Sequence, residues 1–226
     1  MGRNSNFFAP NEFFHSYNRG VEKRKIFLNQ KDIDRFLMLL YVCNSKESIH
    51  LSNLKKPRLD KVLIIPRKDD LVHIGAYCLM PNHFHLLLRE NIEGGVSLFM
   101  QKLLTGYTMY FNKKYDRSGS LFQGTFKASH CDNDNYLKYL FAYIHLNPLK
   151  IIQKDWKEKG IKNLKEAKKF LESYSKSSYL DYIKQGRIEG NILSKSSFPE
   201  YFKKDKDFDD FIDYWISYSE DSHGKV

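Results

Sequence analysis

Two short segments of this chain carry residue types that could do chemistry together. The first is Met80-Pro81-Asn82-His83-Phe84-His85-Leu86-Leu87-Leu88. In a strand, alternate side chains face opposite sides, so His83, His85 and Leu87 share one face and Phe84, Leu86 and Leu88 the other. The apolar set can enter a core while two imidazoles stand roughly 7 Å apart at their backbones, within reach of one ion. A polar sheet face would give the same pattern. The second segment is Tyr143-Ile144-His145-Leu146-Asn147-Pro148. On a helix, Tyr143 and Asn147 are one turn apart and share a face. A carboxamide oxygen suits a hard cation such as Mg²⁺ or Mn²⁺, and a phenol beside that ion is a potential nucleophile. His145 is turned off that face and is not expected to be a ligand. The alternative is a packed Tyr143 and an Asn147 that only caps the helix. With 15 tyrosines in the chain, no single one stands out by type alone.

The elements that would position these groups follow from periodicity. Phe13 to Asn18 reads as a strand, with Arg19-Gly20 turning out of it. Gln30 to Val42 reads as an amphipathic helix on Ile33, Phe36, Leu37, Leu40 and Tyr41. Ser45 to Arg58 is a polar, basic loop. Val62 to Ile65 and Val72 to Leu79 read as strands, the latter interrupted by Gly75. Pro81 ends it, and Asn82 to Leu88 forms the next, giving two strands joined by a tight turn. Val96 to Phe111 is a helix with a buried stripe of Leu98, Phe99, Leu103, Leu104, Tyr107 and Phe111. Lys113 to Ser120 is a basic loop, and Phe122 to His130 includes a last strand. Asn133 or Asp134 caps a helix to about Leu146, and Pro148 disfavours helical geometry at Asn147. The order β-α-β-β-α-β-α predicts a small α+β sandwich, one sheet covered by helices. After about residue 155 the composition turns lysine-rich. A helix over Lys157 to Tyr174 and a second helix or helix pair on Phe198, Tyr201, Phe202, Phe208, Phe211, Ile212 and Trp215 form an expected C-terminal appendage. The expected domains are therefore 1–155 and 156–226.

Composition narrows the setting. A net charge of +10 and a pI near 9.3 attract polyanions, although basic proteins can be merely soluble. Aromatic residues at 15% add rings on which unpaired bases can stack. No apolar run is long enough to span a membrane, and Met1 to Pro10 lacks the apolar centre of a secretion signal. Cys43, Cys78 and Cys131 are odd in number and far apart, which argues against a disulfide framework or a cysteine zinc site. A reducing, cytoplasmic and nucleoid-associated location is expected.

Four segments in order carry a resemblance. They are Phe14-His15-Ser16-Tyr17-Asn18-Arg19-Gly20, Ala76 to Leu88, Gly119-Ser120-Leu121-Phe122-Gln123-Gly124-Thr125-Phe126-Lys127, and Tyr143 to Pro148. Over roughly Phe14 to Lys150 the chain resembles the HUH-type single-tyrosine transposases, IS200-like, in their REP-associated branch. The resemblance implies a ferredoxin-like, RRM-like antiparallel sheet and a homodimer. It makes His83 and His85 metal ligands, Tyr143 the nucleophile and Asn147 the residue that completes the site. Two departures are the length of Ser45 to Lys61 and Thr125, where the family commonly has a basic residue.

What the resemblance implies is attack of Tyr143 on a backbone phosphate of single-stranded DNA, leaving a 5′-phosphotyrosine and a free 3′-hydroxyl. The substrate would be a hairpin-forming repeat with an unpaired guide beside the cut. Two imidazoles alone favour zinc or another transition metal. The amide and phosphate oxygens shift the expectation to Mg²⁺ or Mn²⁺, as in the family. Expected DNA contacts are Asn18, Arg19, Arg89, Lys102, Lys113, Arg117, Gln123 and Lys127, with Phe122 and Phe126 as stacking candidates better suited to a buried strand. Competing expectations are a domesticated binding protein without cleavage and a replication or conjugation nuclease of the HUH type. The aromatic C-terminal segment also suits a protein interface.

Overall fold

The computed structural model describes residues 8–183, 186–202 and 205–217. Four strands form one sheet: β1 (Phe13–Arg19), β2 (Val72–Met80), β3 (His83–Glu90) and β4 (Lys127–Cys131). Their order is β2-β3-β1-β4, and every pairing is antiparallel. The helices are α1 (Gln30–Val42), α2 (Leu59–Val62), α3 (Gly95–Lys114), α4 (Asp134–Leu146), α5 (Trp156–Lys159), α6 (Leu164–Ser173), α7 (Tyr179–Ile183) and α8 (Asp205–Ser217). The β1-α1-β2-β3-α3-β4 succession with β1 and β3 central is the ferredoxin-like arrangement, and the class is α+β as the periodicity predicts.

The alternation in β3 sorts the two faces. Phe84, Leu86 and Leu88 join Phe14 of β1 in one core, closed by Phe36, Leu37 and Leu40 of α1 and by Phe99, Leu103 and Tyr107 of α3. Leu87 lies on the other face with Ala76, Cys78 and Met80 of β2, under Leu137, Leu140, Phe141 and Ile144 of α4. Pro81 and Asn82 make the two-residue turn between β2 and β3. The register slips between Ile74 and Ala76, a bulge at Gly75. A side chain there would place Cβ 2.6 Å from the Phe198 ring, so glycine is what lets that ring reach the sheet.

The composition shift near residue 155 marks no break in packing, so the expected appendage is instead a layer of the domain. Trp156, Leu171, Tyr179, Phe208 and Ile212 share the second core with α4 and the sheet. The same segment covers the outer edge of β2. The Ser194 amide donates to the Ile74 carbonyl, the Tyr182 hydroxyl to Gly75, the Ser178 amide to Tyr77 and the Tyr174 hydroxyl to Leu79. An otherwise open edge, with its row of unpaired backbone groups, is thereby satisfied. Residues 218–226 of the expected appendage lie outside the described residues.

Several local expectations change. Val62 to Ile65 is not a strand. Val62 ends α2 and is buried with Leu63 in the α1 core, and the β2 edge such a strand would need belongs to the C-terminal segment. The regular part of the last strand starts at Lys127, because Gly124 takes a positive φ of 67° and turns the chain. Phe122 and Phe126 are both buried in the first core, which leaves neither ring free to stack on a base. Gly160, with φ 67° and ψ 173°, splits the lysine-rich helix into α5 and α6. Phe198 to Phe202 is not regular helix, so the aromatic end has one long helix, α8.

Candidate active site

The site lies on the second face, in an open cleft of about 460 Å³ between the sheet and α4. The floor is set by strand register. Tyr17 lies opposite His85 on one side and Lys127 on the other, Arg19 opposite His83, and Ser129 opposite His15. In an antiparallel sheet opposed residues share a face, so these side chains converge without help from any loop.

The roof is one stripe of α4. Asn133 caps the helix, its side-chain oxygen accepting from the Tyr136 amide at 2.8 Å. From that start Tyr136, Tyr139, Tyr143 and Asn147 follow at helical spacing down the face that looks at the sheet. The opposite face, with Leu137, Phe141 and Ile144, is buried, which fixes the rotation of the helix. His145 is fully buried there, its Nδ1 paired with the Phe141 carbonyl at 2.8 Å and its Nε2 with Ser178 Oγ at 2.7 Å. As expected from its rotation, it is no part of the cleft.

Roof and floor meet at Tyr143. Its ring stands edge-on to His85 at 5.4 Å and to His15 at 5.7 Å between centroids. His83 and His85 are 5.0 Å apart and nearly perpendicular. Each ring has Nδ1 engaged: His83 with Asn82 Oδ1 at 2.6 Å and His85 with His15 Nε2 at 2.8 Å. Nε2 of each is the nitrogen left to ligate. Burial holds both rings neutral, with His83 lowered to about 4 and His85 well below the usual range. Neighbouring cations add to this, Arg19 and Lys150 at His83, and at His85 Lys150 and Lys157 after the other two histidines. A neutral imidazole is the form that binds a metal.

Asn147 decides whether a metal fits. Its side chain is fully buried, and neither amide atom has a hydrogen-bond partner of normal geometry among the described residues. The amide stands near enough to His83 to favour that ring's protonated form, the one influence there opposing burial. A buried amide without partners costs stability unless something else uses it. Two available Nε2 atoms and an orphaned carboxamide oxygen together fit a divalent cation. The set contains no carboxylate or thiolate, and among the described residues no three His, Cys, Asp or Glu side chains are grouped as a metal cage.

Of the DNA contacts expected from sequence, Asn18, Arg19, Gln123 and Lys127 line the cleft. The others do not. Arg89 bonds the Ser197 carbonyl and Asn11, and Lys102 bonds the Ser45 carbonyl. Arg117 bonds Asn112 beyond the end of α3, and Lys113 is exposed on that helix's last turn. Sequence reasoning missed His15, Lys150 and Lys157, which also line the cleft. His15 shares strand parity with Tyr17, which was a usable signal; the two lysines are brought in by a chain reversal no local pattern announces.

Residues 37–147 match the sequence model of the IS200-like transposases, a span that holds His83, His85, Tyr143 and Asn147. Over that span, 111 of the 226 residues, the chain is similar to the IS200-like transposases. Among solved structures it is similar to a REP-associated tyrosine transposase bound to a REP hairpin. The identity is 13%, over 84% of this chain and 90% of that one, with a TM-score of 0.51. At that identity the likeness concerns the fold. A second similarity, to a tRNA(His) guanylyltransferase from Saccharomyces cerevisiae, has 10% identity over 89% of this chain and 84% of that one, with a TM-score of 0.36. That likeness is too slight to bear on the fold. No curated protein matches. Among the described residues, no helix is long and apolar enough to cross a membrane.

Proposed function

We propose that this chain is an IS200-like transposase, a metal-dependent single-stranded DNA endonuclease and strand transferase with Tyr143 as nucleophile. The observation that carries the reading is the meeting of Tyr143 with His85 on the same helical stripe that ends in the orphaned Asn147 amide. The Tyr143 Oη–P bond forms as the P–O3′ bond breaks. The phenol gives up its proton and the departing 3′-oxygen takes one up, so protons balance. The product is a 5′-phosphotyrosine and a 3′-hydroxyl, and the reverse attack by a new 3′-hydroxyl joins strands. A free phenol titrates near ~10 and is a weak nucleophile at neutral pH. When bound at His83, His85 and Asn147, Mg²⁺ or Mn²⁺ would polarise a phosphate oxygen and offset charge building at phosphorus. Arg19, Lys127, Gln123 and Asn18 would hold the strand along the floor.

The substrate in this reading is hairpin-flanked single-stranded DNA, in keeping with the REP hairpin bound to the similar solved structure, and the acting species is a homodimer. The test is a denaturing gel of purified protein incubated with labelled hairpin DNA from the flanks of its own gene, with and without Mn²⁺ or Mg²⁺. A metal-dependent covalent band that disappears in Tyr143→Phe is expected. Persistence of the band in that variant would remove Tyr143 from the role. Tight binding with no band at all would favour a binding protein that does not cleave.

A further inference from the structure

The cleft is lined by four cations, Arg19, Lys127, Lys150 and Lys157, and by no carboxylate. The candidate metal set of two imidazoles and an amide is also neutral. The cations divide by origin. Arg19 and Lys127 rise from the sheet. Lys150 and Lys157 come from beyond α4, on the tyrosine side, and both follow the segment that matches the family.

Lys157 is held at the nucleophile by its surroundings. Trp156, buried in the second core, anchors the first residue of α5 and so fixes where the next side chain leaves the backbone. The Lys157 ammonium donates to the Tyr139 hydroxyl at 3.0 Å and sits 4.1 Å from the centroid of the Tyr143 ring. Lys150 is 5.2 Å from the same ring. Both lysines are half-buried, and neither makes an ion pair among the described residues. In contrast Lys159, two residues on, is exposed and paired with Asp155. A half-buried ammonium stacked on aromatic faces without a carboxylate is strongly disposed to take an anion, and the anion of this cleft is a phosphodiester.

We propose that Lys157 is a further catalytic residue of the tyrosine reaction, binding a non-bridging oxygen of the scissile phosphodiester, with Lys150 as the second cation of the same subsite. The proposal rests on the reading of Tyr143 as nucleophile. Lys157 keeps its proton throughout; the bonds made and broken are those already given, Tyr143 Oη–P and P–O3′. Its contribution is to meet the charge that grows on the phosphate oxygens from the tyrosine side of the cleft. The C-terminal layer thus supplies part of the active site as well as part of the core.

The experiment measures single-turnover formation of the covalent adduct at saturating hairpin DNA. It compares the full chain with Lys157→Met, which keeps an apolar stem over the rings, and Lys157→Arg, which keeps the charge. Each is run on DNA with oxygen and with either phosphorothioate diastereomer at the scissile position. Loss of one preorganised charge-stabilising donor slows a step by about 10²–10³. That drop is expected for Lys157→Met, with substantial recovery in Lys157→Arg. One phosphorothioate diastereomer should slow the unaltered protein, and that penalty should shrink in Lys157→Met, because the donor that distinguishes oxygen from sulfur is gone. A merely structural lysine would leave the penalty unchanged. If Lys157→Met does not fold, Lys157→Gln is read in the same way. An unaltered rate, or an unaltered phosphorothioate penalty in a slowed variant, overturns the proposal and leaves the tyrosine reading intact. Absence of adduct from the unaltered protein overturns both.

Discussion

Replacing Asn147 by leucine should stabilise the metal-free protein while disabling it. The side chain is buried, and neither amide atom has a hydrogen-bond partner of normal geometry among the described residues. Leaving a buried polar group unsatisfied costs about 1–3 kcal/mol. Leucine has nearly the same shape and no polar atoms, so most of that cost should be recovered. For a chain of this length 1 kcal/mol corresponds to roughly 2–4 °C in Tm. A rise of roughly 2–8 °C is therefore expected in calorimetry with a chelator present. Adding Mn²⁺ to the unaltered protein should raise its Tm, since a ligand that binds only the folded state stabilises it by mass action. The variant should lose most of this increment together with the covalent adduct. A metal-free Asn147→Leu protein that melts several degrees below the unaltered one would refute the reasoning. It would mean that the amide is already satisfied in the folded state, and the argument for its availability as a ligand would fall with it.

Three further outcomes follow from packing and charge. His15 and His83 are held to about 4 and His145 to about 3, all by burial, so the unfolded chain binds protons in acid that the folded chain refuses. Stability should then be full above pH 6.5 and be lost as pH falls towards 4, by about 3 kcal/mol for His15 alone, opposed in part by Asp181, which burial raises to about 6; equal urea midpoints at pH 7.5 and 5 would contradict this. Gly75→Ala should destabilise by about 1–3 kcal/mol through overpacking against Phe198, with much of the loss regained in a Gly75→Ala, Phe198→Leu double variant, both read by urea unfolding. A chain ending at residue 155 should fail to form a cooperatively melting monomer, because the Ile74, Gly75, Tyr77 and Leu79 carbonyls lose their partners and the second core loses its outer layer; a soluble monomer with a sharp transition would show the C-terminal layer to be dispensable.

The parts legible in sequence are those governed by local period. Alternation in His83 to Leu88 places the imidazoles on one face and the apolar residues on the other, and that is where they lie. The spacing of Tyr143 and Asn147 puts them on one stripe of α4, and Gln30 to Val42 has the bounds its periodicity predicts. Val62 to Ile65 misleads because a short apolar run has no period of its own, and burial against α1 satisfies it as well as a sheet would. The C-terminal layer misleads for a different reason. Its lysines advertise a solvated face, yet the core it completes is built by Trp156, Leu171, Tyr179 and Phe208, scattered between charges and assembled only in three dimensions.

That same distinction separates the two halves of the candidate site. The groups that would carry the chemistry sit on a strand and a helix whose geometry is dictated within a few residues. The groups that tune it arrive from far along the chain. His15 reaches His85 from a neighbouring strand, a contact set by register and invisible in either segment alone. Lys157 reaches Tyr143 because Trp156, buried in the second core, anchors the start of α5. An ammonium placed in this way is poised by tertiary packing, so its position depends on the integrity of the second core. Changes in the C-terminal layer that never touch DNA should therefore alter the charge at the nucleophile, and with it the rate of the tyrosine step, before they abolish binding along the floor of the cleft.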